Sequence, residues 1–189
     1  MTYNIFFISD HHFGHQKPYN TFTKEDGRFL RHEFPDAETA DEIMIQRHNL
    51  VVKPQDRVYF VGDVCFHKKD LVKVGRMTGR KVLIKGNHDI LDLKDYVPYF
   101  DDIRGSHQFK GVLIAHIPVH PDSLGRWGFQ VHGHLHERAV MKRKITSLDG
   151  IRASAEVVPD PRYFNVSVER LNYTPISLEE VKKYKPNEE

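Results

Sequence analysis

Cysteine is nearly absent from this chain of 189 residues, with Cys65 standing alone. One thiol forms no internal disulfide and builds no thiolate zinc site, which excludes a disulfide-stapled scaffold and a cysteine-based zinc module. Long apolar runs are missing too: no stretch approaches the roughly 20 residues a membrane-spanning helix needs. Formal net charge is only +2, too little to draw the chain to nucleic acid or a membrane by bulk attraction. There is no repeat, low-complexity tract or linker-like segment, so residues 1–189 read as a single domain. Met1-Thr2-Tyr3-Asn4 leads straight into an apolar run without the charged-then-apolar pattern of a signal peptide. With the lone cysteine, this makes the cytoplasm the expected compartment. Apolar residues at 39% and charged residues at 29% describe an ordinary globular protein.

What the chain has in excess is histidine, 13 residues, and most fall in five short motifs. The apolar run Ile5-Phe6-Phe7-Ile8 reads as a buried strand and ends in Ser9-Asp10-His11-His12-Phe13-Gly14-His15. Val58-Tyr59-Phe60-Val61 runs into Gly62-Asp63. Val82-Leu83-Ile84 runs into Gly86-Asn87-His88-Asp89, and Val112-Leu113-Ile114-Ala115 into His116. Phe129-Gln130-Val131 runs into His132-Gly133-His134-Leu135-His136. An isolated Asp or His at a strand end is commonly a turn or cap residue. Five successive strands delivering carboxylate, amide and imidazole groups at their C-terminal ends point instead to a site that binds divalent metal.

Taken in order from Asp10 to His136, the motifs Asp-x-His, Gly-Asp, Gly-Asn-His-Asp, His and Gly-His-x-His resemble the calcineurin-like metallophosphoesterase superfamily. The tail, Phe164–Glu169 followed by Asn172–Glu180, resembles its short bacterial and phage members, so the resemblance spans nearly the whole chain. Two divalent ions held close need a shared anionic ligand to offset their repulsion, and Asp63 is the natural bridge. The resemblance implies that Asp10, His12 and His136 complete the first metal and that Asn87, His116 and His134 complete the second. In an extended segment residues two apart point the same way, so His134 and His136 can face one site while His132 faces elsewhere. Manganese is the first expectation, with iron, zinc, nickel or magnesium also suited to oxygen and nitrogen ligands. The implied chemistry is one-step phosphoester hydrolysis by a hydroxide bridging the two ions. Asp63 and Asn87 belong to the catalytic centre, and His88 resembles the histidine that contacts phosphate and protonates the leaving oxygen.

The sequence departs from the superfamily in one place. Protein-phosphatase relatives continue Gly-Asp-x-x-Asp-Arg, whereas here the stretch is Gly62-Asp63-Val64-Cys65-Phe66-His67. Phe66 stands where an Asp would orient the catalytic histidine, and His67 where an Arg would bind phosphate. His88 then needs another orienting group, for which Asp89 is the candidate. The missing arginine tilts the expectation toward phosphodiesters and a small phosphoester substrate, nucleotides included. A small-molecule phosphomonoesterase is the alternative. A nuclease is less favoured, because the basic run Arg138, Lys142, Arg143 and Lys144 is short. A non-catalytic scaffold of the same fold would be expected to have shed ligands, and all are present.

Between the motifs, 15–35 reads as a long irregular connection. Asp36 is a helix N-cap before apolar residues at helical spacing to about Leu50. A second helix is expected over 67–77 with Leu71, Val72 and Val74 inward, a short one over 91–99, and a hairpin at Lys110-Gly111. Residues 137–161 read as a loop with one short strand, 162–169 as a half-buried strand, and Ser177-Leu178-Glu179-Glu180 as a capping box opening a last helix to about Tyr184, with 185–189 frayed. Strands alternating with helices suggest an α/β fold of two sheets packed face to face with helices outside, and the resemblance implies the same four-layer αββα sandwich of two mixed β-sheets.

Overall fold

A computed structural model describes residues 3–148 and 153–186. Its first sheet is built around β1 (Ile5–Ile8), a strand buried at every position. Parallel to it run β2 (Arg57–Phe60), then β3 (Arg80–Ile84) and β4 (Asp102–Arg104), and on the other edge β11 (Ile176–Ser177) pairs antiparallel. The second sheet carries β5 (Ser106–Phe109), β6 (Val112–Ala115), β7 (Gln130–His132) and β10 (Tyr163–Asn165) in the order β10-β7-β6-β5, with only the β5–β6 pair antiparallel. The chain changes sheets at Gly105, between β4 and β5. At Lys110-Gly111 both φ values are positive, 49° and 75°, the backbone of the tight two-residue hairpin turn that a glycine second favours.

Alternate side chains of the first sheet feed two separate cores. Phe6, Ile8, Val58, Phe60 and Leu83 join Ala37, Ala40, Met44 and Ile45 of helix α2 (Ala37–Val51) and Leu71 and Val74 of α3 (Leu71–Gly75). Ile5, Phe7, Tyr59, Val61, Val82 and Ile84 instead meet Val112, Ile114 and Val131 of the second sheet. The period-two alternation of the strands therefore sorts one sheet between helices on one face and a second sheet on the other. The result is a mixed α/β fold with two mixed sheets. Asp36 caps α2, its carboxylate accepting from Thr39 N at 2.8 Å. Ser177 and Glu180 cap α5 (Leu178–Lys182) reciprocally.

Several expectations are corrected. The helix over 67–77 is a 3-10 turn at Lys68–Asp70 followed by the one-turn α3, and Val72 is exposed, because it lies about 100° round that helix from the buried Leu71. The helix over 91–99 is only α4 (Leu93–Tyr96). The connection 15–35 contains α1 (Lys17–Asn20). Where a loop and one short strand were expected, β8 (Met141–Leu148) and β9 (Ala153–Pro159) pair antiparallel as a separate two-stranded sheet. The strand over 162–169 pairs as β10 and then by one isolated parallel bridge, Ser167 to Ser9; Asn165 Oδ1 accepts from Ser167 N and Oγ, and the chain turns into a 3-10 segment at Val168–Arg170. The last helix stops at Lys182, and the expected fraying falls in part on residues 187–189, outside the described residues. Among the described residues no helix is long and apolar enough to cross a membrane.

Candidate metal centre

All five motifs converge at the C-terminal ends of β1, β2, β3, β6 and β7. After β1 the chain continues alongside the chain after β2 through Asp10 N to Gly62 O, His12 N to Asp63 O and Phe13 N to Val64 O, at 2.9–3.1 Å. To keep these bonds while turning its side chains toward one point, the backbone kinks. Asp10, His12, Asp63, His134 and His136 all have φ between 50° and 70°, a region that non-glycine residues enter at a cost of about 1–3 kcal/mol each. Strain of that kind persists where surrounding structure enforces it, and here it gathers on five of the seven predicted ligands. At Gly133 the backbone passes so close to Asp10 and Ser9 that a Cβ would strike Asp10 Oδ2, and at Gly86 a Cβ would strike Asp63.

The predicted ligands fall into two groups. In one, ligand atoms of Asp10, His12 and His136 lie within 4.8 Å of one another; in the other, those of Asp63, His116 and His134 do. Asp63 links them: its Oδ2 is 3.7 Å from His12 Nε2 and 3.3 Å from His116 Nε2. Asn87 joins the second group with Oδ1 3.1 Å from His116 Nε2. A set of carboxylate oxygens, an amide oxygen and imidazole nitrogens suits divalent ions of the manganese–zinc series.

Two of the four imidazoles have their tautomers fixed from behind, as metal-binding imidazoles commonly do. His116 Nδ1 donates to Val61 O at 2.8 Å, and His136 Nδ1 donates to Glu169 Oε1 at 3.1 Å, leaving both Nε2 atoms for the site. Glu169 in turn accepts from Arg31 Nε at 2.8 Å. Arg31 is wholly buried and also donates to His11 O at 2.7 Å, Asp10 O at 2.5 Å and Tyr19 Oη at 3.2 Å. The Asp10 carboxylate accepts from Ser9 Oγ, Ser167 Oγ and the His134 N–H. Arg31, Ser167 and Glu169 were missed in the sequence. Their only signal was a charged residue in an otherwise loop-like connection and a Glu at the end of an apolar alternation.

Burial pushes the carboxyl of Asp10 up, outweighing the nearby imidazoles of His136 and His116. Burial works the same way on Asp63, yet the hydrogen bond and charge of His116 and the His88 N–H hold it down at about 2. The converse applies to His116: desolvation opposes its charge, but Asp63 and Asp10 raise it to about 9. Burial keeps His12 far below the usual range and lowers His134. Burial also opposes protonation of His136, but Glu169 prevails and raises it. Glu169 is held ionised by Arg31 despite full burial. The two buried carboxylates thus draw positive charge into the site, a demand that bound cations would meet.

No family model matches this chain. Among curated proteins it is similar to the uncharacterised protein MJ1445 of Methanocaldococcus jannaschii, at 29% identity over 183 residues, covering 95% of this chain and 89% of that protein. Among solved structures it resembles the crystal structure of AQ665 from Aquifex aeolicus, a protein of unknown function, with a TM-score of 0.62 and 25% identity over 96% of this chain and 99% of that one. The fold is thus shared across most of both chains.

The remaining candidates sort by position. His88 is exposed at the mouth of the site, its ring 5.6 Å from His12 and 4.8 Å from Phe66. Asp89 does not orient it. Its carboxylate is buried and accepts the backbone N–H groups of Asp63, Val64 and Gly86 at 2.8–2.9 Å, so its acceptor capacity goes to holding the turn. Phe66 packs against His88, His12 and His15. His67 is exposed. His11 is buried between Phe13 and Phe60, facing away from the ligands, and His132 is buried against Tyr163. Cys65 is buried, which pushes its thiol up to about 12. Of the basic run, Arg138 lines a cleft of about 820 Å³ that reaches His136; Lys142, Arg143 and Lys144 ride on β8 and do not line it.

Proposed function

We propose that this chain is a binuclear metal-dependent phosphoesterase of the calcineurin-like metallophosphoesterase superfamily, acting in the cytoplasm on a small phosphodiester. The observation that carries this is the position of Asp63 Oδ2, which faces His12 Nε2 and His116 Nε2 at 3.7 and 3.3 Å, so that one carboxylate serves both triads. The two apolar cores, one under helices and one between sheets, support the four-layer αββα sandwich that goes with this reading.

Asp10, His12 and His136 would hold one ion, and Asn87, His116 and His134 the other, with Asp63 shared and manganese the first choice. When bound, such a pair lowers the pKa of water and neutralises charge developing at phosphorus. The chain's own groups do the rest. Asn87 turns its amide oxygen toward His116, which leaves its NH2 to donate to a phosphoryl oxygen. His88 is exposed beside His12, within the part of the site where a leaving oxygen would depart, and its imidazole can hand that oxygen a proton. Its backbone N–H is bonded to Asp63 Oδ1 at 2.8 Å, which fixes the turn that presents it. Arg31, the buried arginine behind the site, is committed to Glu169, Tyr19 and two carbonyls. It therefore offers nothing to the extra negative charge of a monoester dianion. This supports diesters over monoesters.

The test is turnover of manganese-loaded protein on an aryl phosphodiester, the matching aryl monoester and a phosphoserine peptide. Faster diester than monoester hydrolysis, with negligible peptide turnover, is expected. The opposite order would move the reading to a phosphomonoesterase.

A further inference from the structure

Next to the ligands lies a cavity of about 270 Å³, lined by His12, His15, Lys17, Pro18, Phe22, Leu30, Phe66, His88 and His136. Two of these nine residues belong to the first triad and a third is the proton donor proposed above. Whatever leaves phosphorus on the His88 side therefore departs into this space. Its other walls come from the 15–35 connection and from Phe66, the residue that replaces the superfamily's aspartate.

The chemistry of those walls narrows the occupant. None of the nine is an acid, so a cationic group finds no counter-charge. None is Ser, Thr, Asn, Gln or Tyr, so the hydrogen-bonding groups at hand are the Lys17 amine and imidazole nitrogens, and two of those four imidazoles belong to the first triad. What the walls mostly offer is ring surface, phenyl and imidazole: His15 stands edge-on to Phe66 at 4.6 Å and to Phe22 at 5.8 Å. The other ring contacts of Phe66 are with His12 at 5.3 Å and His88 at 4.8 Å. Phe22 is 44% exposed, so part of its ring is open to a ligand. An enclosed apolar cavity of about 150 Å³ accommodates benzene, so this one has room for one or two fused rings. Lys17 is exposed at the rim and can meet an anion carried by the same ligand.

We infer that this cavity is a leaving-group subsite for a planar aromatic ring, aryl or nucleobase, so that the preferred substrates are phosphodiesters whose departing alcohol or phenol bears such a ring. The inference rests on the phosphoesterase reading.

Full-length, manganese-loaded protein is titrated calorimetrically with methylphosphonate, phenylphosphonate and the adenosine ester of methylphosphonate, for the wild type, Phe66→Leu and Phe22→Ala. Ring stacking predicts that at least one ring-bearing probe binds roughly ten- to a hundredfold tighter than methylphosphonate, and that this ratio collapses toward one in both variants. Which probe gains distinguishes an aryl from a nucleobase ligand. Phe22, being half-exposed, carries the test if Phe66→Leu does not fold. Equal affinity of all three probes overturns the subsite and leaves the phosphoesterase reading standing. Failure of every probe to bind overturns both.

Discussion

The two triads are held in different ways. Asp10 and His136 are gripped by side chains from far along the chain: Arg31 from the 15–35 connection, and Ser167 and Glu169 from the turn after β10. Asp63, His116 and His134 rest on the ends of the strands themselves. Val61 O fixes His116, and Asp89, from the turn that carries Asn87, holds the backbone at Asp63. One half of the site thus depends on segments with little regular structure, the other on parallel strand ends. Damage to the loops should therefore unmake the first half and spare the second.

The largest effect is expected where the comparison breaks down, at the residue both halves share. Asp63→Asn should weaken both metals and depress turnover of all substrates alike, read by metal content and by kinetics on leaving groups of differing pKa. His88→Ala should keep both metals and lose roughly a hundred- to ten-thousandfold in turnover. The deficit should be smallest with p-nitrophenolate, which hardly needs a proton, and should grow with an alkoxide. Loss of a metal would make His88 a ligand, and a flat deficit would place its action on the phosphoryl oxygens.

Arg31→Met leaves Glu169 buried without its cation, a change worth about 3–5 kcal/mol. It should lower the denaturation midpoint and reduce bound metal from two ions toward one, while Arg31→Lys restores part of both. Asp89→Asn gives up charge-assisted bonds worth about 1.5–3 kcal/mol each. It should weaken the second half instead, with loss of the Asn87–His116 ion first. If both variants lose the two metals together, the halves are not independent.

The smallest effect lies away from both triads. His48 is fully buried on α2, with Nε2 donating to Thr78 O, and burial lowers it to about 4. The unfolded chain therefore binds more protons than the folded one between pH 6.5 and 4. Stability is present above 6.5 and falls through that window as pH drops, by up to about 1.4 kcal/mol per pH unit. Urea melts across the window should show a slope shallower by up to one proton in His48→Gln.

How much of this was legible follows the same division. The five strand ends and α2 could be read because apolar period and cap residues are local signals. The grouping of ligands was what the resemblance of the motifs to the metallophosphoesterase superfamily implied. The positive φ values at the ligands were not legible: Asp and His enter that region more readily than most residues, but residue type alone does not say which of them will. Nor was Arg31, whose role depends on meeting Glu169 across 138 positions of sequence. β8 and β9 escaped because Met141, Arg143, Lys144, Ile145 and Val157 are all exposed. Among the described side chains of this two-stranded hairpin none is buried, so it shows no buried-and-exposed alternation to detect. Val72 was misplaced because it is apolar, although helical spacing puts only Leu71 and Val74 of α3 on one face.

The central claim is that Asp63 joins two metal positions into one centre. Manganese titration of the full chain, followed by electron paramagnetic resonance, tests it most directly. Two ions per chain with a spin-coupled spectrum, reduced to at most one uncoupled ion in Asp63→Asn, is the predicted result. A wild-type stoichiometry that stays at one, or two ions that never couple, would contradict it.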